Sequence, residues 1–238
     1  MDYYSINKKI AAIVPALNEE KNIANVLRVL LNSKQLDEVI VVDDGSEDKT
    51  AEISRKMGAK VISLPKKGGS GKANAMREGV KRTDAEILVF FDADLIGLCE
   101  KHISLLIEPV LKNEAMMCVA IRERKWWGKI SKFMIKIDPL SAIAGERAMK
   151  RFVFESIPPR FLKAFEVETA LNYYCLIKKL PVRYVWLRGL DIIIKEKKWG
   201  FWRGFFSRIK MFWQLFWIRI ALRVWKKEFE LWDKSKII

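Results

Sequence analysis

Apolar residues in this chain fall into short unbroken runs, and segments with helical spacing separate them. Ile10 to Val14, stopped by Pro15, reads as a strand buried on both faces, because it is apolar without alternation. Asn18, followed by Glu19 and Glu20, has the chemistry of a helix N-cap with acids in the first turn. Ile23, Val26, Leu27, Leu30 and Leu31 then recur at helical spacing. Glu38 to Val42 is a second strand, Thr50 to Met57 a helix ended by Gly58, and Val61 to Leu64 a third strand. After the segment Lys66 to Lys72, a helix is expected from Ala73 to about Lys81. Glu86 to Phe91 is the fourth strand, followed by a helix over Lys101 to Leu111 and a fifth strand over Ala115 to Ile121.

Strands alternating with helices at this spacing predict an α/β fold with a doubly wound, mostly parallel sheet. Residues 1–121 form a nucleotide-binding type of half. Beyond Arg122 the pattern loosens. Arg122 to Asp138 is basic and aromatic, Gly145-Glu146-Arg147 is expected to begin a short helix, and Pro158-Pro159 breaks the chain. A helix over Glu168 to about Lys179 and a strand over Val182 to Leu187 complete a second half, residues 122–198. Residues 199–238 read as an amphipathic helical tail.

Composition narrows the partners. Half of the 238 residues are hydrophobic, enough for a sizeable core, and the formal charge is +15. Such a balance selects anionic partners: nucleotides, nucleic acid or an acidic membrane surface. Cys99, Cys118 and Cys175 are far apart and lie in apolar surroundings, so they are expected as buried free thiols. Met1 to Lys9 has no apolar core of a signal peptide, and no apolar run reaches the roughly 18 residues that span a bilayer. The expectation is a cytoplasmic protein, peripheral on the inner face of the membrane. In the tail, Trp213, Phe212, Phe216 and Ile220 share one helical face, while Arg208, Arg219, Arg223 and Lys226 share another. That composition suits an anionic membrane surface, a core helix or a dimer contact.

Candidate chemistry lies at the strand ends. Asp92-Ala93-Asp94 follows the fourth strand, and two hard oxygen ligands at that edge suit Mg²⁺ or Mn²⁺ against a phosphate. Asp43-Asp44-Gly45-Ser46 is either a turn with a helix cap or a pair of carboxylates facing a base or ribose. The glycine-rich Gly68 to Lys72 is not a Walker loop, since Lys66 stands where the first glycine belongs and Ala73 replaces Ser or Thr. It is either a solvated basic loop or a backbone cradle that brings Lys72 to a pyrophosphate. His102, the one histidine, is expected in a surface or capping role, and neither a zinc site nor a Ser-His-Asp triad is supported. Glu166 and Glu168 stand at a helix start, where acids are favoured for dipole reasons or would face a sugar hydroxyl.

In order, Val14-Pro15-Ala16-Leu17-Asn18-Glu19-Glu20, Val41 to Ser46, Gly69 to Ala75 and Phe91 to Leu95 resemble the family 2 glycosyltransferases with the GT-A fold, near the dolichyl-phosphate sugar synthases. Gly145-Glu146-Arg147, Val167-Glu168 and Gly189 to Lys195 are also similar to the retaining glucosyl-3-phosphoglycerate synthases. The resemblance implies that Pro15, Ala16, Leu17 and Glu19 line the nucleotide, and that Asp43 or Asp44 takes the base edge. It implies Lys72 at the ribose or pyrophosphate, Asp92 at the ribose, Ala93 in the nucleotide-sugar site, and Asp94, with Asp92, at the metal bridging the diphosphate. Arg122 falls near the sugar diphosphate, and Glu168 holds the sugar or helps activate the acceptor, with Glu146 a second candidate base. Two departures stand out. Gly189 to Lys195 lacks the histidine that helps hold the metal in the glycerate enzymes, leaving Asp191 as a substitute, and Glu166 replaces a common glycine.

The implied activity is metal-dependent transfer of a hexose from a nucleotide-diphosphate sugar to a lipid-linked or membrane-associated acceptor, such as a polyprenyl phosphate or another anion. A soluble sugar-glycerate synthase is the alternative enzyme. A non-catalytic nucleotide- or RNA-binding module is disfavoured, because strand-end carboxylates repel a polyphosphate.

Overall fold

The computed structural model describes residues 8–65, 71–122, 144–161 and 166–192, with isolated helical positions at 229 and 232. The chain divides into two compact units, Met1–Asp191 and Ile192–Ile238. The glycine-rich residues 68–70, the basic-aromatic segment 123–138, the side chains of Arg122 and Glu166, and nearly all of the amphipathic tail lie outside the described residues.

Seven strands form one sheet in the order β3-β2-β1-β4-β7-β6-β8. Their ranges are β1 Ile10–Ala16, β2 Glu38–Asp43, β3 Lys60–Ser63, β4 Ile87–Phe90, β6 Met117–Arg122, β7 Arg147–Lys150 and β8 Val182–Leu187. A separate pair joins β5 (Leu95–Ile96) to β9 (Asp191–Ile192). β1 runs parallel to β2 and β4, β2 to β3, and β6 to β8. Only β7 opposes its neighbours within this sheet. The central strands β1, β2 and β4 are buried almost throughout, as apolar runs without alternation require. The edge strands β3 and β8 are less buried and carry Lys60 and Arg183, charges that discourage pairing with another chain.

The helices are α1 (Ile23–Asn32), α2 (Thr50–Lys56), α3 (Gly71–Val80), α4 (Glu100–Leu111), α5 (Arg151–Glu155) and α6 (Glu166–Ile177). α3 packs on β1 and β2, and α4 on β6 and β7. α1 buries Ile23, Val26, Leu27 and Leu30, the spacing read from the sequence.

Three expectations need correction. Asn18 does not cap α1: it takes a left-handed φ of 55°, and a turn over Glu19–Asn22 precedes the helix. Its polar groups serve another loop instead, since the Asn18 amide donates to Ser46 Oγ and its side-chain oxygen accepts from the Glu47 amide. Gly145-Glu146-Arg147 begins a strand, β7, not a helix, and the helix α5 starts only at Arg151. Cys99 is exposed, whereas Cys118 and Cys175 are buried as expected. Desolvation pushes both buried thiols up to about 12, so they pack as small apolar side chains.

Gly79 shows how closely α3 lies on the sheet. A Cβ there would stand 2.6 Å from Ile13 Cγ2 and 3.1 Å from Val42 Cγ2. Gly79→Ala would gain about 1 kcal/mol of helix propensity but would overpack the core at a cost of about 1–3 kcal/mol. We expect net destabilisation near 1 kcal/mol, read as a lower urea midpoint at unchanged slope; a higher midpoint would contradict this packing.

Candidate active site

Parallel strands bring their C-terminal ends to one edge, and the register makes the alignment concrete. Ala16 pairs with Asp43, and Ile13 with Phe90. Pro15, half-buried, and Ala16, buried, therefore close β1 beside Asp43, while exposed Leu17 and half-buried Glu19 follow in the next loop. The first two loops are stitched together: the Glu19 amide donates to Thr50 Oγ1 at 2.8 Å, and the Glu20 amide to Asp48 Oδ2 at 3.0 Å. Asp43 and Asp44 are both buried. Asp43 Oδ1 accepts from the Ser46 amide at 3.2 Å, closing the turn, and Asp44 Oδ2 accepts from the Gly71 amide at 3.0 Å. An acid on the first amide of α3 is favourable for the helix dipole and anchors the start of that helix at the sheet edge.

From that start, Lys72 reaches across the end of β4. Its Nζ stands 2.6 Å from Asp92 Oδ1 and 3.2 Å from Glu168 Oε1, with Glu168 contributed by the first turn of α6. Burial disfavours the ammonium, but the charge of Asp92, then of Glu168, and a hydrogen bond to Asp92 outweigh it, with Glu146 adding a smaller contribution. The balance raises the Lys72 pKa, so the lysine is a fixed cation.

β7 supplies the other wall because it is antiparallel. Its first residue, Arg147, pairs with Phe90, the last of β4, so Gly145 and Glu146 lie beside the strand-end acids. The Glu146 carbonyl accepts from the Ala120 amide at 3.0 Å, extending the ladder to β6. Gly145 leaves no room for a side chain: a Cβ would come within 2.5 Å of Lys72 Nζ and 2.6 Å of both Asp92 oxygens. Glu146 and Arg147 have no exposed surface, and Glu168 is 4% exposed.

Asp94 is half-buried and directly precedes β5; Ala93, before it, is buried. Asp92 and Asp94 offer hard carboxylate oxygens at a strand end, a donor set that fits Mg²⁺ or Mn²⁺ completed by phosphate oxygens and water. Among the described residues no group of three or more His, Cys, Asp or Glu side chains stands together as a metal cage. Asp191, exposed, begins β9, which pairs with β5, so the topology places it on the ladder that follows Asp94. His102 is not on the surface: it is buried, its Nε2 lies 2.9 Å from the Arg188 carbonyl, and it supports the turn before β9. Arg122 ends β6, and only its backbone is described.

The structure thus brings Asp92, Lys72, Glu168 and the β7 entry into one cluster. Gly145 as a wall and Arg147 as a buried cation were not apparent from the sequence. The available signal was a Glu-Arg pair set within the apolar stretch Ile143 to Met149, where charge implies a buried, partnered pair.

Comparison with known proteins supplies the family. Residues 11–169 match the profile described as glycosyl transferase family 2. The fold is similar to glucosyl-3-phosphoglycerate synthase from Mycobacterium tuberculosis, solved with Mn²⁺, UDP and glucosyl-3-phosphoglycerate, at 25% identity and a TM-score of 0.66; the match covers 79% of this chain and 72% of that one. The same enzyme with Mn²⁺, UDP-glucose and phosphoglyceric acid matches equally well. The 4,4'-diaponeurosporenoate glycosyltransferase of Staphylococcus haemolyticus is 42% identical over 92 residues, 37% of this chain and 24% of that protein. The Staphylococcus aureus enzyme of the same name is 34% identical over 104 residues, 42% of this chain and 28% of that protein. The chain therefore spans about a quarter of the length of these relatives. With the family profile running from β1 into the first turn of α6, this chain belongs to glycosyltransferase family 2.

Proposed function

We propose that this chain transfers a hexose from a nucleotide-diphosphate sugar to an anionic, lipid-linked or membrane-associated acceptor, with Mg²⁺ or Mn²⁺ at Asp94 and Asp92. The cluster of Lys72 with Asp92 and Glu168 at the end of β4 is the observation that carries this reading. Pro15, Ala16, Leu17, Glu19 and Ala93 would line the nucleotide sugar, with Asp43 or Asp44 toward the base and Asp92 toward the ribose. Lys72, at the N-terminus of α3, would meet the diphosphate, where cationic charge and helix dipole both favour an anion. Breaking the sugar–phosphate bond places negative charge on the departing diphosphate, and a preorganised cation stabilises that charge more in the transition state than in the ground state. A divalent ion, when bound, would supply further Lewis-acid stabilisation of the same oxygens.

The two candidate carboxylates then separate in role. Glu168 touches Lys72 directly, so it is assigned to hold the sugar or take an acceptor proton. Glu146 is fully enclosed and would act through its charge. An anionic acceptor is supported by the net charge of +15, by the complex of the mycobacterial enzyme with phosphoglyceric acid, and by the staphylococcal relatives named for diaponeurosporenoate. The peripheral membrane role of residues 199–238 rests on their aromatic and basic composition; among the described residues no helix is long and apolar enough to cross a membrane. A soluble sugar-glycerate synthase is the second reading, favoured by the similarity in fold to the mycobacterial enzyme.

Two variants test the site. Asp94→Ala should lower Mn²⁺-dependent transfer or hydrolysis of the donor by about a hundredfold or more, and full activity would overturn the assignment. Gly145→Ala requires Lys72, Asp92 or the entry to β7 to shift, and a misplacement of the pair should cost about 10- to 100-fold in kcat/KM. Unchanged kinetics for a folded Gly145→Ala protein would show that this pair is not part of the donor site.

A further inference from the structure

Arg147 presents an arrangement that the proposed chemistry does not itself require. Its guanidinium is fully buried, and a charge in that position is costly unless its donors are met. The oxygen acceptors come from the Ala144 backbone and from α6, and Nη1 also contacts Met117 Sδ on β6 at 4.0 Å. Nε, at 3.2 Å, and Nη2 both donate to the Ala144 carbonyl, a forked grip on the residue before Gly145. Nη1 makes longer contacts with the Glu168 carbonyl at 3.4 Å and Asn172 Oδ1 at 3.5 Å, both on α6. One side chain therefore holds the backbone on either side of the cluster. The Ala144 end fixes Gly145 against Lys72 and Asp92, and the α6 end fixes the residue whose carboxylate meets Lys72.

We propose that Arg147 is a positioning residue for transfer, setting the separation between the Gly145 wall and the Glu168 carboxylate around Lys72. It does not touch the donor; it acts through Ala144 and the first turn of α6. This inference rests on the proposed glycosyl transfer, and it adds a residue outside the donor-binding set. Lysine cannot reproduce the function, because a single ammonium lacks the planar fork that grips one carbonyl while reaching a second element. Burial pulls the Arg147 pKa down, opposed chiefly by Glu168, but a guanidinium stays charged, so the geometry rather than a titration carries the effect.

The test compares wild type, Arg147→Lys and Asn172→Ala in the full chain. It measures thermal midpoint, amide hydrogen exchange, and kcat and KM for Mn²⁺-dependent turnover of UDP- and GDP-sugars. For Arg147→Lys we expect kcat to fall at least tenfold with donor KM within twofold, and faster exchange confined to residues 144–148 and 166–172. Asn172→Ala, which keeps the grip on Ala144, should lose about threefold in kcat, and it decides the matter if Arg147→Lys does not fold. A lowered midpoint with unchanged kcat in the folded variants would make Arg147 merely structural and overturn the proposal. Wild-type protein that binds no nucleotide sugar would instead refute the proposed function. The exchange pattern would then still decide whether Arg147 couples the two walls.

Discussion

Carboxylates gathered at one edge of a sheet impose the constraint on which the rest of this structure depends. Asp92, Glu146 and Glu168 lie around the end of β4, with Asp94 two residues beyond Asp92, in positions that are half-buried or fully enclosed. Such charges are stable only where cations and hydrogen bonds meet them. Lys72 meets Asp92 and Glu168 directly, and the charge of Arg147 lies between the strand β7 and the helix α6. The architecture follows from placing these two cations. α3 must start where Asp44 holds its first amide, so that Lys72 reaches β4. β7 must run antiparallel, so that its entry, and not its exit, adjoins Phe90.

Much of this was readable in the sequence, for a definite physical reason. β1, β2 and β4 are buried on both faces and so appear as unbroken apolar runs, and their ends carry Pro15, Asp43 and Asp92. Parallel packing then brings those ends together without further information. β7 was not readable. It has four residues, begins with a charge, and enters the sheet from a distant part of the chain, so no period marks it. Local cap chemistry also misled at Asn18, because its polar groups bond to the loop at Ser46 and Glu47 instead of to a helix of its own. Of the surface or capping role expected for His102, the burial excludes the first; its partner is a backbone carbonyl 86 residues away, which leaves no trace in residue types.

Family membership and the cluster limit the chemistry in complementary ways. The family profile ends within the first turn of α6, so the residues proposed for the donor side lie inside the matched region. An acceptor role for the basic-aromatic stretch after Arg122 or for the tail of interleaved Trp and Arg is a proposal from composition alone. An anion held by positive charge requires no general base if the acceptor is a phosphate or carboxylate, which would leave Glu168 to orient the sugar. A hydroxyl acceptor would require Glu168 to take its proton.

The central claim is that a nucleotide diphosphate and a divalent ion share the edge of β4 with Lys72. Anomalous X-ray scattering from crystals grown with Mn²⁺ and UDP or GDP tests it most directly. The account predicts a single strong Mn²⁺ peak bridging Asp94 and the diphosphate, with Lys72 turned toward the phosphate oxygens. A bound nucleotide with no Mn²⁺ peak at Asp94, or a nucleotide seated away from this edge, would contradict it.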